Sequence, residues 1–125
     1  IEIKFVNRNE LNKEINKIDI CIFFAKINFS IKGSFPTKIS EFLLAGKPII
    51  CNNFNKDISK FITKHKVGLI YDFDLLKYKN NIYHEIINIV KNKNIILRCR
   101  NIAKKELSLK KSIQLYKKIY YDCLV

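Results

Sequence analysis

Residues 18–24, IDICIFF, form an almost unbroken apolar run. It is far shorter than the roughly 18 apolar residues a membrane helix needs, and it lacks the in–out alternation of a strand with one wet face. A run of this kind predicts a strand covered on both faces, as in a parallel sheet. Two similar runs follow at 48–51 (PIIC) and 67–71 (VGLIY), with stretches of helical periodicity between them. A short β-branched and aromatic segment at 1–6 (IEIKFV) predicts another strand. A helix is expected over 9–17, with Leu11, Ile15 and Ile18 near one face, and another over 57–65, with Ile58, Phe61 and Ile62 at i, i+3 and i+4.

Strands alternating with helices through short connections require an open α/β layer with a mainly parallel sheet, Rossmann-like in type and flanked by helices. From about residue 78 the pattern turns all helical, with helices over 80–92, 95–107 and 108 to the end, the last capped by Ser108. At 125 residues the chain suits one domain, with a sheet region over about 1–75 and a helical tail over about 78–125. The connection 25–35 (AKINFSIKGSF) is long for a strand-to-helix loop and leaves the carboxyl end of its strand, the edge where such sheets bind ligands.

Lys and Arg number 24 against 11 Asp and Glu, so the net charge is 24 − 11 = +13 and the pI is about 9.7. Such a balance fits phosphate-bearing partners or an anionic membrane. The basic residues are scattered, however, and the abundance of Lys, Ile and Asn matches the bias of AT-rich codons. No nucleic-acid partner is therefore expected, although a charge-driven nucleic-acid domain stays as an alternative. Cys21, Cys51, Cys99 and Cys123 show no CxxC spacing, and His65 and His84 lie far from them. No metal site is expected, and reduced thiols in the cytoplasm fit this pattern. No signal peptide is expected within these residues. The chain starts at Ile1 and contains no Met, so it is expected to be a piece of a longer polypeptide.

The most organised stretch is 34–50, SFPTKISEFLLAGKPII. Pro36 fits the first turn of a helix and biases Phe35 toward the extended geometry of an N-cap. Gly46 suits the left-handed position after the last turn, and Pro48 prevents continuation. Ile39, Phe42 and Leu43 share the face that can lie on the sheet, which leaves Glu41 on another face with Thr37, Lys38 and Ala45. The free N–H groups and positive dipole at the helix start make an anion site, to which Ser34 and Thr37 add hydroxyls and Lys38 a charge. Glu41 lies four residues beyond Thr37, about 6 Å along the axis, a separation like that between a nucleotide's phosphates and its ribose diol. The same residues also satisfy ordinary helix capping, and neither GxGxxG nor GxxxxGK[ST] is present.

The segment FFAKINFSIKGSFPTKISEFLLAGKPIICNN resembles the signature region of the C-terminal, nucleotide-sugar-binding domain of GT-B fold glycosyltransferases of family four. A pattern in one bacterial branch of that family matches at Phe24, Lys26, Ser30, Lys32, Ser34, Pro36, Thr37, Lys38, Glu41, Leu43 or Leu44, Gly46, Pro48, Ile50 and Asn52. The flanks VGLIYDF and SLKKSIQLYKKIYYDCL are similar to the family's following strand and closing helix. The resemblance implies a partial GT-B donor domain and transfer of a hexose-like sugar from a nucleotide donor to a sugar or lipid-linked acceptor, with neither cofactor nor metal. Bacterial surface polysaccharide or lipopolysaccharide synthesis would be its setting, in the cytoplasm or peripherally at the inner membrane.

In that likeness Glu41 binds the donor's ribose, while Ser34, Pro36, Thr37 and Lys38 lie near the diphosphate or sugar. Lys26, Lys32 and Lys38 are the candidates to stabilise the departing diphosphate, Lys38 foremost. The chain departs from the pattern at Gly33, where many members place a second Glu, and at 54–57, where FNKD replaces GVGD. The family's acceptor domain and the Gly-rich early part of its donor domain are expected to lie outside these residues, so alone they are not expected to make a competent enzyme. The alternative from another class is a non-catalytic Rossmann-like nucleotide-binding module, or a decayed fragment of one.

Overall fold

The computed structural model describes residues 2–71 and 81–124. Three strands, β1 (Cys21–Phe23), β2 (Ile49–Asn52) and β3 (Gly68–Tyr71), form a parallel sheet in the order β1-β2-β3. Cys21 stands opposite Ile49, and Ile49 opposite Gly68. Helix α1 (Arg8–Asn16) precedes the sheet, and α2 (Phe29–Lys32) with α3 (Thr37–Leu44) links β1 to β2. Helix α4 (Lys56–His65) links β2 to β3. Three helices follow: α5 (Asn81–Lys91), α6 (Ile95–Glu106) and α7 (Leu109–Cys123). The chain is therefore α/β with a parallel sheet and a helical C-terminal part, as the apolar runs predict.

Because the strands are parallel, each crossover helix runs back against the strand direction. The starts of α3 and α4 consequently meet the carboxyl edge of the sheet. The central strand β2 is buried along its whole length. Over it pack Ile39 and Leu43 of α3, Ile58 and Ile62 of α4, and Ile95, Cys99 and Ala103 of α6, with Phe54 and Val67 closing the cluster. Truncating a core side chain such as Leu43, which is 0 % exposed, costs about 2–5 kcal/mol in cores of this kind. Of the sheet-facing residues expected for α3 and α4, Ile39, Leu43, Ile58 and Ile62 form the core, while Phe42 and Phe61 are half-buried against it.

Two glycines fix how these parts approach. Gly46 has φ +84°, and the N–H groups of Gly46 and Lys47 donate to Leu43 and Phe42 O at 2.9 Å, the Schellman pattern of a helix stop. A Cβ there would also sit 2.7 Å from Ile96 Cγ2 on α6. At Gly68 a Cβ would meet Ile49 O at 1.9 Å, so only glycine permits this pairing of β3 with β2.

Several expectations are corrected. Residues 2–6 form no strand, and Phe5 is 100 % exposed. High β propensity needs a neighbouring strand to act on, and among the described residues β1 pairs only with β2. Instead, the segment is tied to α1 by Lys4, whose Nζ lies 3.2 Å from Glu14 Oε2. Glu14 also meets Lys17 at 2.7 Å, and this lysine, followed by Lys4, holds its carboxyl below the usual range.

The outer part of β1 is open as well, with Ile22 62 % exposed, so IDICIFF is not covered on both faces. Of the face expected on α1, only Ile15 is buried. The connection 25–35 is not wholly irregular, because Asn28 Oδ1 accepts from Ile31 N–H at 2.9 Å and starts the single turn of α2. Pro36 is the N-cap of α3 rather than its first helical residue. Expectations that fall on residues 72–80, including the DF of VGLIYDF, the end of the sheet region near 75 and the helix start at 80, lie outside the described residues.

Cys21, Cys51 and Cys99 are buried without disulfides, and burial pushes each thiol from an ordinary 9.0 up to about 11. They act as small core side chains. Among the described residues, no helix is long and apolar enough to cross a membrane.

Candidate functional site at the carboxyl edge of the sheet

The long connection after β1 is held in place by two buried asparagines, each at the carboxyl end of β2 or just beyond it. Asn52 Nδ2 donates to Ala25 O at 2.8 Å, and its Oδ1 accepts from Ala25 N–H at 3.0 Å. Asn55 Nδ2 donates to Lys32 O at 2.7 Å and to Ser34 O at 3.0 Å. Its Oδ1 accepts from the N–H groups of Asp57 and Ile58 at 2.9 and 3.1 Å, which caps α4. One side chain thus joins the start of α4 to the loop that delivers α3. Neither amide leaves a buried nitrogen or oxygen without a partner.

The loop sets the start of α3. Ser34 is half-buried, and its hydroxyl donates to Ile31 O at 3.1 Å, so it closes the turn of α2. Pro36 has extended geometry (φ −61°, ψ 127°) and offers no side-chain cap. Thr37 and Lys38 form the first exposed turn, which contains no acidic residue. The Thr37 and Lys38 N–H groups have no intrahelical acceptor, whereas the Ile39 N–H donates to Pro36 O at 3.0 Å.

One turn on, Glu41 is exposed, and its carboxylate has neither a hydrogen bond nor an ion pair among the described residues. It borders a cavity of about 360 Å³ between α1 and α3, lined by Asn12, Asn16, Glu41, Leu44 and Ala45. On its other side is a second hollow of about 300 Å³, where Leu44 and Ser40 face Leu107 and Leu109.

The fold therefore brings Ser34, Pro36, Thr37, Lys38 and Glu41 along one helix and its lead-in. Lys32 stands apart, lining a different cavity of about 380 Å³ with Asn53, Asn55, Lys56 and Asp57 at the start of α4. Lys26 is exposed on the loop. Gly33 is exposed too, and a Cβ there would meet nothing within 4 Å.

No family model matches this chain, and neither a curated protein nor a solved structure matches it. What the site can do is consequently argued from its own chemistry. The α3 start offers N–H donors, a hydroxyl and a cation, which together suit an anion with several oxygens. Glu41 offers two acceptor oxygens, and Asn12 and Asn16 add amide donors and acceptors around the same cavity. Among the described residues, no group of three or more His, Cys, Asp or Glu is placed to hold a metal ion.

Sequence reasoning missed Asn12, Asn16 and Asn55. The spacing of four puts Asn12 and Asn16 on one face of α1, but nothing local says that α3 lies across from it. Asn55 had a readable signal, since Asn directly before Lys-Asp-Ile is a sound N-cap followed by an acid in the first turn.

Proposed function

We propose that this chain binds a nucleoside-diphosphate sugar at the start of α3, as part of the donor domain of a GT-B glycosyltransferase. The observation that carries the reading is the pairing of an uncapped helix start bearing Thr37 and Lys38 with an unpartnered carboxylate, Glu41, one turn further on. The diphosphate meets the first-turn N–H groups and Lys38. The ribose diol donates both hydroxyls to Glu41, and the base enters the cavity bordered by Asn12 and Asn16.

In transfer, the bond from the sugar's anomeric carbon to the β-phosphate oxygen breaks, and its electrons leave on the diphosphate. A new bond forms to an acceptor hydroxyl oxygen, whose proton passes to the diphosphate. Charge grows on the leaving group as this happens, so Lys38 and the helix start would hold it more tightly in the transition state than in the ground state. Assembly of bacterial surface polysaccharide from sugar or lipid-linked acceptors is the setting that fits the resemblance.

Calorimetric titration of the chain with UDP, GDP, ADP and CDP and their hexose derivatives tests the reading. One of them is expected to bind, and Glu41→Ala is expected to weaken it by about tenfold to a hundredfold, the cost of a hydrogen-bonded carboxylate. Absence of binding across the panel, or binding indifferent to Glu41, would refute it. Gly33 favours a second reading, a nucleotide-binding module without transferase activity. That reading expects bare diphosphates to bind as tightly as their sugar derivatives.

A further inference from the structure

Helix α7 is the longest of the described helices at 15 residues, and none of its described side chains is buried. It has no extended packing partner among the described helices and strands. Its direction is nevertheless defined. Ser108 Oγ accepts from Lys111 N–H at 3.3 Å, and the Lys111 ammonium pairs with Glu106 at the end of α6.

Along the helix Leu109, Ile113, Tyr116, Tyr120 and Leu124 recur at intervals of four, three, four and four, which places them in one stripe. Ile119 and Cys123 widen the stripe on one side. Lys110 and Lys117 border it on the other, and Lys111 and Lys118 lie on the back. The helix thus carries four lysines against a single acid, Asp122.

We propose that α7 is an interfacial helix, which seats this stripe in the surface of an anionic lipid membrane. The charge selects the occupant. A lysine-rich border is poorly suited to a protein interface, whose core is depleted of lysine, and a second copy would bring lysines against lysines. A membrane rich in acidic headgroups attracts all four, and their long stems let the ammonium groups stay in water while the apolar stripe sinks. Tyr116 and Tyr120 suit the same depth, with rings in the acyl boundary and hydroxyls in the wet layer. The net charge of +13 on the whole chain adds a long-range pull in the same direction. This proposal does not depend on the nucleotide site.

The chain contains no tryptophan, so Tyr120→Trp provides a single reporter on the stripe. With phosphatidylcholine vesicles containing phosphatidylglycerol, the reporter is expected to shift to the blue and the protein to sediment with the lipid. Pure phosphatidylcholine should give neither effect. Changing Lys110, Lys111, Lys117 and Lys118 to Gln should weaken the partition about a hundredfold or more. Ile113→Ser together with Tyr116→Ser should weaken it about tenfold or more.

Lys111 is half-buried and loses its pair with Glu106 in the lysine variant, so that variant should lose a little thermal stability. The other positions are exposed, so the stripe variants should keep the parent's stability, and all should keep its nucleotide binding. The proposal is overturned if no blue shift occurs on anionic vesicles. It is also overturned if sedimentation is unchanged by Ile113→Ser with Tyr116→Ser, which would mean attraction by charge alone. A reporter already blue in the protein without lipid would show that another segment or a second copy covers the stripe.

Discussion

Two helices begin at the same edge of the sheet and are finished in opposite ways. At α4 the chain supplies its own acceptor: Asn55 takes the N–H groups of Asp57 and Ile58, and the Asp57 carboxylate meets the positive end of the helix. At α3 the N-cap is Pro36, with no side-chain acceptor, and the first turn holds Lys38 instead of an acid. A side-chain cap is worth about 1 kcal/mol, and a cation at a helix start is mildly unfavourable. The contrast teaches that α4 is completed by its own residues, whereas α3 forgoes the same stabilisation and leaves its positive end without a side-chain cap.

The sharpest way to probe this asymmetry is Asn55→Ala. It removes the α4 cap and strips Lys32 O and Ser34 O of their buried donor, so urea unfolding should show a loss of about 3 kcal/mol. Asp57→Lys, which gives α4 the charge pattern of α3, is smaller. It should cost about 1 kcal/mol by the same measurement and leave nucleotide affinity unchanged.

Lys38→Asp performs the reverse exchange on α3 and has a diagnostic sign. The protein should gain about 0.5 kcal/mol while its nucleotide binding is lost. A destabilised Lys38→Asp protein would break the comparison, because it would mean that Lys38 serves the fold. An effect on affinity alone belongs to Gly33→Glu, which the open space around Gly33 accommodates. Competition binding should show it raising affinity for the nucleotide sugar about threefold to tenfold over the bare diphosphate, the worth of one or two solvent-accessible hydrogen bonds. A plain nucleotide module would show no such preference.

Much of this contrast was legible in the sequence where chemistry is local. Pro36 and Gly46 announce where α3 begins and ends to within a residue, and Ile39, Phe42 and Leu43 identify its buried face without reference to any other element. Legibility failed where the answer depended on what lies across space. IEIKFV and IDICIFF have equal claims to be strands, yet the first finds no neighbour and the second is open at Ile22. Asn12 and Asn16 carry no signature of their own and enter the site only because α1 passes beside Glu41. The cap at Asn55 was readable, but its second task of holding the loop at Lys32 and Ser34 was not, since those partners lie more than 20 residues away.

The most direct test follows the backbone amides of both helix starts by NMR while nucleoside diphosphates are added. The account predicts that for one of them the Thr37 and Lys38 amides shift together with saturation, while Asp57 and Ile58, already bonded to Asn55, stay in place. If the α4 amides move as much as those of α3, or if no diphosphate moves either set, the open start of α3 is not an anion site and the account is contradicted.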